Sequence, residues 1–294
     1  MYPLGVRRLL VQSQAVTGVA DRSFDGRSGF GDFVLLPFTL TGRYVLRVLD
    51  EMGAVCLFFL DAVRQLFIPG KMFFRIVQQV YFIGAKSLFV IALIGLFTGM
   101  VLGLQGYYTL VKFGSEGLLG AAVALSLIRE LGPVLTAIMI IGRAGSSMAA
   151  EIGIMRITDQ IDALEVMDLQ PMRFLVSPRV AASLISFPLL TAVFDVIGIM
   201  GGYLSGCVLL GINSGVYFYR MEASVELQDV AGGFYKALFF GAIMATICCY
   251  QGYFTHLRKD GVGPEGVSNS TTSAVVQSCV LVLIGDYVLT SFFM

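Results

Sequence analysis

The chain has 294 residues, 56% of them hydrophobic and only 14% charged, with a formal net charge of zero. Soluble domains carry about 25% charged residues, so this composition excludes an ordinary soluble domain, and the charge balance carries no nucleic-acid signal. The single histidine, His256, and five scattered cysteines give no metal-ligand spacing, and neither a phosphate-binding Gly-Lys-Ser/Thr loop nor a nucleophile–base–orienter set is present.

Residues 1–43 are polar and rich in Gly and Ser, without the basic-then-apolar order of a cleaved signal, and read as a flexible cytosolic extension. Tyr44–Phe67 is helical in pattern. Arg47, Asp50, Glu51, Asp61 and Arg64 fall near one face and apolar residues fill the other, which suits a helix lying in the membrane interface rather than crossing it. Ile68-Pro-Gly ends it, and a second amphipathic piece, Lys71–Tyr81, leads into the membrane.

Five spans follow. The first, residues 88–110, is uncharged and carries the ladder Gly95, Gly99, Gly103, which lets another helix approach closely. The second, residues 118–150, is longer than a bilayer needs. It carries Arg129-Glu130 inside it and then Gly132-Pro133, where a kink is expected because proline removes a donor and clashes one turn back. Arg143 and a small-residue run mark its polar end. Arg156–Asp168 is an acidic helix with an apolar stripe at Ile157, Ile161, Leu164 and Met167, closed by Pro171 and Pro178. The third span, residues 180–210, holds Pro188 and Asp195. Gly211–Phe234 reads as a polar loop. The fourth span covers residues 236–254, and His256–Thr272 forms another loop. The fifth span, residues 274–294, carries Asp286. The fold class is therefore all-α and polytopic.

Positive charge sets the orientation. With the N-terminus inside, the segments up to Lys86, Arg143–Arg179 and Arg258-Lys259 are cytoplasmic. They hold most of the 20 Lys and Arg residues. Opposite loops hold Lys112, Arg220 and Lys236, so the acidic helix falls in the cytosol and the C-terminus outside.

Charge within hydrocarbon is costly, so Arg129-Glu130 marks a functional site by default. Adjacent helical residues point about 100° apart and cannot satisfy one another on one face. One reading gives the pair a role near substrate; the other makes it scaffold. Asp195 and Asp286 read as structural hydrogen-bonding carboxylates, with a proton relay as the alternative.

Several motifs together resemble the MlaE-type ABC transporter permease family. They are Gly99-Met-Val-Leu-Gly-Leu-Gln-Gly-Tyr, Arg129-Glu-Leu-Gly-Pro-Val, Gly142-Arg-Ala-Gly-Ser, Ala150-Glu-Ile-Gly-x-Met-Arg, Gln160-Ile-Asp-Ala-Leu-Glu-Val-Met and Asp286-Tyr-Val-Leu-Thr. The resemblance covers residues 44–294. It implies a homodimer in the bacterial inner membrane, driven by separate ABC ATPase subunits, with a STAS-domain protein often attached and an MCE-domain protein on the periplasmic side. It implies phospholipid as the cargo, moved between inner membrane and periplasm, and no cofactor in the permease itself. It further implies that residues 44–67 form an elbow helix and that the acidic helix couples to the ATPase through Arg156, Asp159, Gln160, Asp162, Leu164 and Glu165. The lipid pocket it implies lies between two copies at Leu102, Gln105, Leu110, Arg129, Glu130 and Leu131. The glycine ladder and the resemblance together point to a dimer contact using parts of the fifth and first spans. Residues 1–43 fall outside the family pattern, and Asp195 has no place in it. Two other functions compete: an ion-coupled secondary transporter, motivated by Glu130, Asp195 and Asp286, and a non-transporting assembly anchor. The first ought to show internal repeats, which five spans cannot supply evenly. The second has no need of Arg129-Glu130 inside a span.

Overall fold

The computed structural model describes residues 30–66, 72–257 and 263–293, all in helices and short connections. In chain order the helices are α1 (Phe30–Leu66), α2 (Phe73–Val111), α3 (Glu116–Ile157), α4 (Gln160–Val166), α5 (Met172–Leu209), α6 (Ser214–Ser224), α7 (Leu227–Tyr253) and α8 (Gly263–Phe293). Helices α2, α3, α5, α7 and α8 are each long and apolar enough to cross a membrane.

The described residues fall into two compact units. The smaller takes the chain up to residue 69 together with residues 163–177. Here α1 begins at Phe30, ahead of the Tyr44 start expected from the charged face; the expectation for residues 1–29 and the Ile68-Pro-Gly stop lie outside the described residues. Ala54, Phe58 and Ala62 form a buried stripe on α1 at helical spacing, and the Ser177 hydroxyl donates to Ala62 O at 2.8 Å. Asp50 and Glu51, one turn before the stripe, are exposed.

The larger unit, residues 70–162 and 178 onward, contains the bundle. Phe73–Val80 runs without a break into the first span, so the second amphipathic piece is the leading end of α2. The ladder decides how α2 packs. A methyl on Gly99 would lie 1.8 Å from Gly198 O, one on Gly95 2.9 Å from Phe194 O, and one on Gly103 2.0 Å from Ser205 Oγ. The three glycines thus seat α2 directly against α5, in parallel, within one protomer. The expected close approach is present, but its partner is the third span rather than a second copy of the chain.

Phe187, Phe194, Phe240, Ile140 and Met244 fill the interior between α3, α5 and α7. Helix α8 is the most exposed of the five long helices and presents Val276, Val280, Leu283, Ile284 and Tyr287 outward. The stretch expected as a loop, Gly211–Phe234, is mostly helical. Gly211 turns the chain at φ +77°, and Asn213 caps α6 by accepting from Gly215 N at 2.8 Å. Glu226 and Asp229 then form a reciprocal capping box that starts α7 at Leu227. Lys236 consequently lies inside a span instead of at its mouth, and only 3% of its side chain is exposed.

Candidate functional site

Helix α3 is regular on either side of Gly132-Pro133 but opens into a π turn at Leu127–Leu131 just before it. Gly132 N–H reaches back to Leu127 O, and Pro133 has no N–H for Arg129 O, its ordinary partner one turn back. The freed carbonyl is not left bare: Lys236 Nζ of α7 donates to Arg129 O at 2.9 Å. Gly233, one turn before Lys236, makes the approach possible, since a methyl there would lie 2.6 Å from Ile128 O.

The break therefore organises a polar cluster. Lys236 Nζ also donates to Glu130 Oε2 at 2.7 Å and to Thr290 Oγ1 at 2.7 Å, and it lies 3.0 Å from Asp286 Oδ1. The Thr290 hydroxyl contacts Glu130 Oε1 at 3.0 Å and the Asp286 carbonyl at 2.8 Å. Beside this, Arg129 Nε donates to Asp229 Oδ1 at 2.7 Å, while Asp229 Oδ2 accepts from Glu226 N–H at 3.1 Å. The capping box that starts α7 thus also holds the acceptor for Arg129. A cavity of 290 Å³ opens over these groups, walled by Arg129, Glu130, Glu226, Gln228, Asp229, Lys236, Thr290 and the small residues Gly232 and Gly233.

Of the residues expected at a lipid site, Arg129 and Glu130 line this cavity and Leu102, Gln105, Leu110 and Leu131 do not. Leu102, Leu110 and Leu131 pack half-buried against the core, and Gln105 is exposed. Sequence reasoning missed Lys236, Asp229, Glu226 and Thr290. Lys236 was the available signal, because a lysine at the tenth position of an α7 that starts at Leu227 cannot face lipid without a partner. Asp286, expected to be structural, pairs with Lys236. Asp195 stands apart: its carboxylate lies over Gly132, where a methyl would be 1.9 Å from Oδ1, and that oxygen has no hydrogen-bond partner.

A second π turn, Ile141–Gly145, carries Arg143, and the matching turn in α2, Tyr81–Ala85, frees carbonyls opposite it. Arg143 Nε donates to Ser87 Oγ at 2.8 Å, Nη2 donates to Phe82 O, and the guanidinium lies 5.3 Å from the Phe82 ring. The pattern repeats: an unwound turn on one helix is satisfied by a cation from its neighbour.

At the far end of α3, Arg156 is buried, contrary to a docking role at the surface for its own side chain. Its Nη1 donates to Asp162 Oδ1 at 2.7 Å, its Nε to His256 Nδ1 at 2.9 Å, and it lies 5.7 Å from the Tyr253 ring. Partial burial first, and the Arg156 charge second, push the His256 imidazole below its ordinary range, while Asp162 pulls the other way. Asp159 and Asp168 both adopt left-handed backbone, at φ 55° and 57°, and bound the acidic helix on either side. Asp168 N–H bonds Glu165 O and Leu169 N–H bonds Leu164 O, a Schellman stop with aspartate where glycine is usual. Ile161 and Leu164 are buried; Asp159, Gln160 and Asp162 are exposed, and Glu165 is half-buried. Met167, expected on the apolar stripe, is instead 61% exposed, beside Val166 at 89% and Leu169 at 41%.

Five apolar crossing helices, with a buried ion-pair cluster and cavity at a broken one, define a polytopic membrane protein of the transporter class. Residues 76–292 match the family model described as Permease MlaE, and the chain belongs to that family. It is 42% identical over 252 residues to a probable ABC transporter permease protein of Rickettsia bellii, covering 86% of this chain and 95% of that one. It is 45% identical over 222 residues to the intermembrane phospholipid transport system permease protein MlaE of Haemophilus influenzae, covering 75% and 83%. Similarity extends to the chloroplastic protein TRIGALACTOSYLDIACYLGLYCEROL 1 of Arabidopsis thaliana, at 36% over 227 residues, covering 77% and 63%.

Proposed function

We propose that the protein is the membrane permease subunit of an ATP-driven ABC transporter that moves phospholipid between the bacterial inner membrane and the periplasm or outer membrane. The observation that carries the reading is the cluster Arg129–Glu130–Lys236–Asp286 at a cavity beside the broken span, in a chain of the MlaE permease family. A headgroup needs a polar recess within an otherwise apolar bundle, and this recess is one.

In this reading residues 44–294 form the permease domain, with the N-terminus cytoplasmic and the C-terminus periplasmic, supported by the Lys/Arg asymmetry. ATP hydrolysis belongs to a separate ATPase subunit. Asp159, Gln160, Asp162 and Glu165 meet it, with Arg156 and Leu164 holding the acidic helix in place from behind. The protein works as a homodimer, and the exposed apolar face of α8 supplies the contact that the glycine ladder does not. An MCE-domain protein on the periplasmic side and a STAS-domain protein on the cytosolic side complete the assembly.

The test uses the double variant Asp162→Lys, Glu165→Lys in the assembled transporter. Co-purification of the ATPase and vesicle-to-acceptor lipid transfer should both fall at least about ten-fold, while insertion of the permease is unchanged; tenfold corresponds to about 1.4 kcal/mol of lost docking. Normal co-purification with normal transfer refutes the coupling role.

A further inference from the structure

The cavity's free groups are not the ones that its charge list suggests. Lys236 lies in the wall with only 3% of its side chain exposed, and its three protons are occupied by Glu130, Thr290 and Arg129 O. It cannot also bind a phosphate. Arg129 is different: only its Nε is engaged, its side chain is 42% exposed, and its two terminal nitrogens remain to grip a phosphate in fork geometry. Glu226, also in the wall of the recess, is exposed and in no ion pair among the described residues. The cavity therefore offers a cation with two open nitrogens and a carboxylate with one oxygen beyond its capping bond.

The balance of charge points the same way. Arg129 and Lys236 are the cationic wall residues; Glu130, Glu226 and Asp229 are the acidic ones, with Asp286 behind Lys236. An anionic headgroup would enter a recess where carboxylates outnumber cations. No wall residue is aromatic, and the chain contains no tryptophan, so a quaternary ammonium would find no aromatic cage. A primary ammonium, with three donors, suits the Glu226 carboxylate. The volume, 290 Å³, falls just below the roughly 300–1,000 Å³ usual for ligand sites, enough for a headgroup but not for two acyl chains.

We propose that this recess selects a zwitterionic headgroup bearing a primary ammonium, of the phosphoethanolamine class, with Arg129 on the phosphate and Glu226 on the ammonium. The inference rests on the lipid-carrier reading above and adds a preference to it.

The full-length protein, purified with its co-purifying subunits, is equilibrated in vesicles of equimolar phosphatidylethanolamine, phosphatidylglycerol and phosphatidylcholine, and retained lipid is measured by mass spectrometry. Phosphatidylethanolamine should be enriched about five-fold over each of the others, a modest value for one charge-assisted contact at a partly wet site. Glu226→Gln keeps the side-chain shape and the backbone N–H bond to Asp229 Oδ2, and should bring the ratio back to that of the vesicles with total lipid unchanged. Retention in vesicle proportions by the native protein, enrichment of phosphatidylglycerol, or a ratio unmoved by Glu226→Gln overturns the headgroup assignment while leaving the carrier reading intact. Retention of no lipid at all, with Arg129→Ala indistinguishable from native, overturns the carrier reading and the assignment with it.

Discussion

Lys236→Met is the sharpest test of the cluster. The substitution keeps length and apolar bulk and removes one charge and three donors. It leaves Glu130 and Asp286 without their cation and Arg129 O without a donor, because Pro133 cannot supply one. Removing one partner of a fully buried ion pair costs about 3–5 kcal/mol. Glu130 is 35% and Asp286 20% exposed, and the adjoining cavity admits water, so the pair term belongs at the low end. A bare carbonyl adds to it, by about 1 kcal/mol where water reaches it. The expected loss is about 4 kcal/mol, several hundred-fold in the folding equilibrium. The assay is reversible unfolding of the purified protein in mixed micelles with increasing sodium dodecyl sulfate, read by helix content. A triple variant with Glu130→Gln and Asp286→Asn removes the stranded charges and should recover more than half of the loss. A single variant within about 0.5 kcal/mol of native, or a triple variant no better than the single, would refute the argument; differences below that size are ordinary for surface substitutions.

Three further outcomes are expected. Gly99→Ala should weaken the bundle by at least about 1–3 kcal/mol, since its methyl meets Gly198 O at 1.8 Å, whereas Gly142→Ala, with nothing within 4 Å, should be neutral or slightly stabilising in the same unfolding assay. Asp168→Gly should slow proteolysis next to the acidic helix and Asp168→Val should speed it, by about 1 kcal/mol each way, because only glycine adopts φ 57° without cost. For His256 the folded state favours the neutral imidazole, so the unfolded chain binds the proton more readily and stability falls as pH drops through the ordinary histidine range, near 6.5; His256→Gln should flatten the stability slope between about pH 7 and 5, and an unchanged slope would count against the Arg156–His256 contact.

What the sequence made legible was whatever depends on composition and on single broken rules. Five crossing helices follow from apolar length, and the break at Gly132-Pro133 from proline's missing donor. The glycine ladder announced a close approach, but small residues say only that something comes near; that α5 is the partner depends on Gly198 and Gly202 facing back, a match between two segments about a hundred residues apart. The start of α7 was misread because Glu226 and Asp229 look like loop residues until each is seen to cap the other. That error hid Lys236. Once Lys236 is ten residues inside a helix instead of at its mouth, its burial demands acceptors, and the carbonyl freed by Pro133 is the nearest unmet one.

The same reasoning separates the two intramembrane aspartates. Asp286 Oδ1 lies 3.0 Å from Lys236 Nζ, so its charge has a counter-charge even though that oxygen, like Asp195 Oδ1, makes no aligned hydrogen bond. Asp195 meets the bare Cα of Gly132, and its Oδ1 meets no donor among the described residues. A carboxylate that lost nothing but shape on neutralisation would tolerate Asp195→Asn, whereas Asp286→Asn would leave Lys236 with Glu130 as its sole counter-charge. Of the two substitutions, Asp286→Asn should therefore cost more in the unfolding assay, even though both residues look alike as lone acidic letters in an apolar run. A larger cost at Asp195 would mean that its charge has a partner outside the protomer, and the division drawn here between a site and a scaffold would have to move with it.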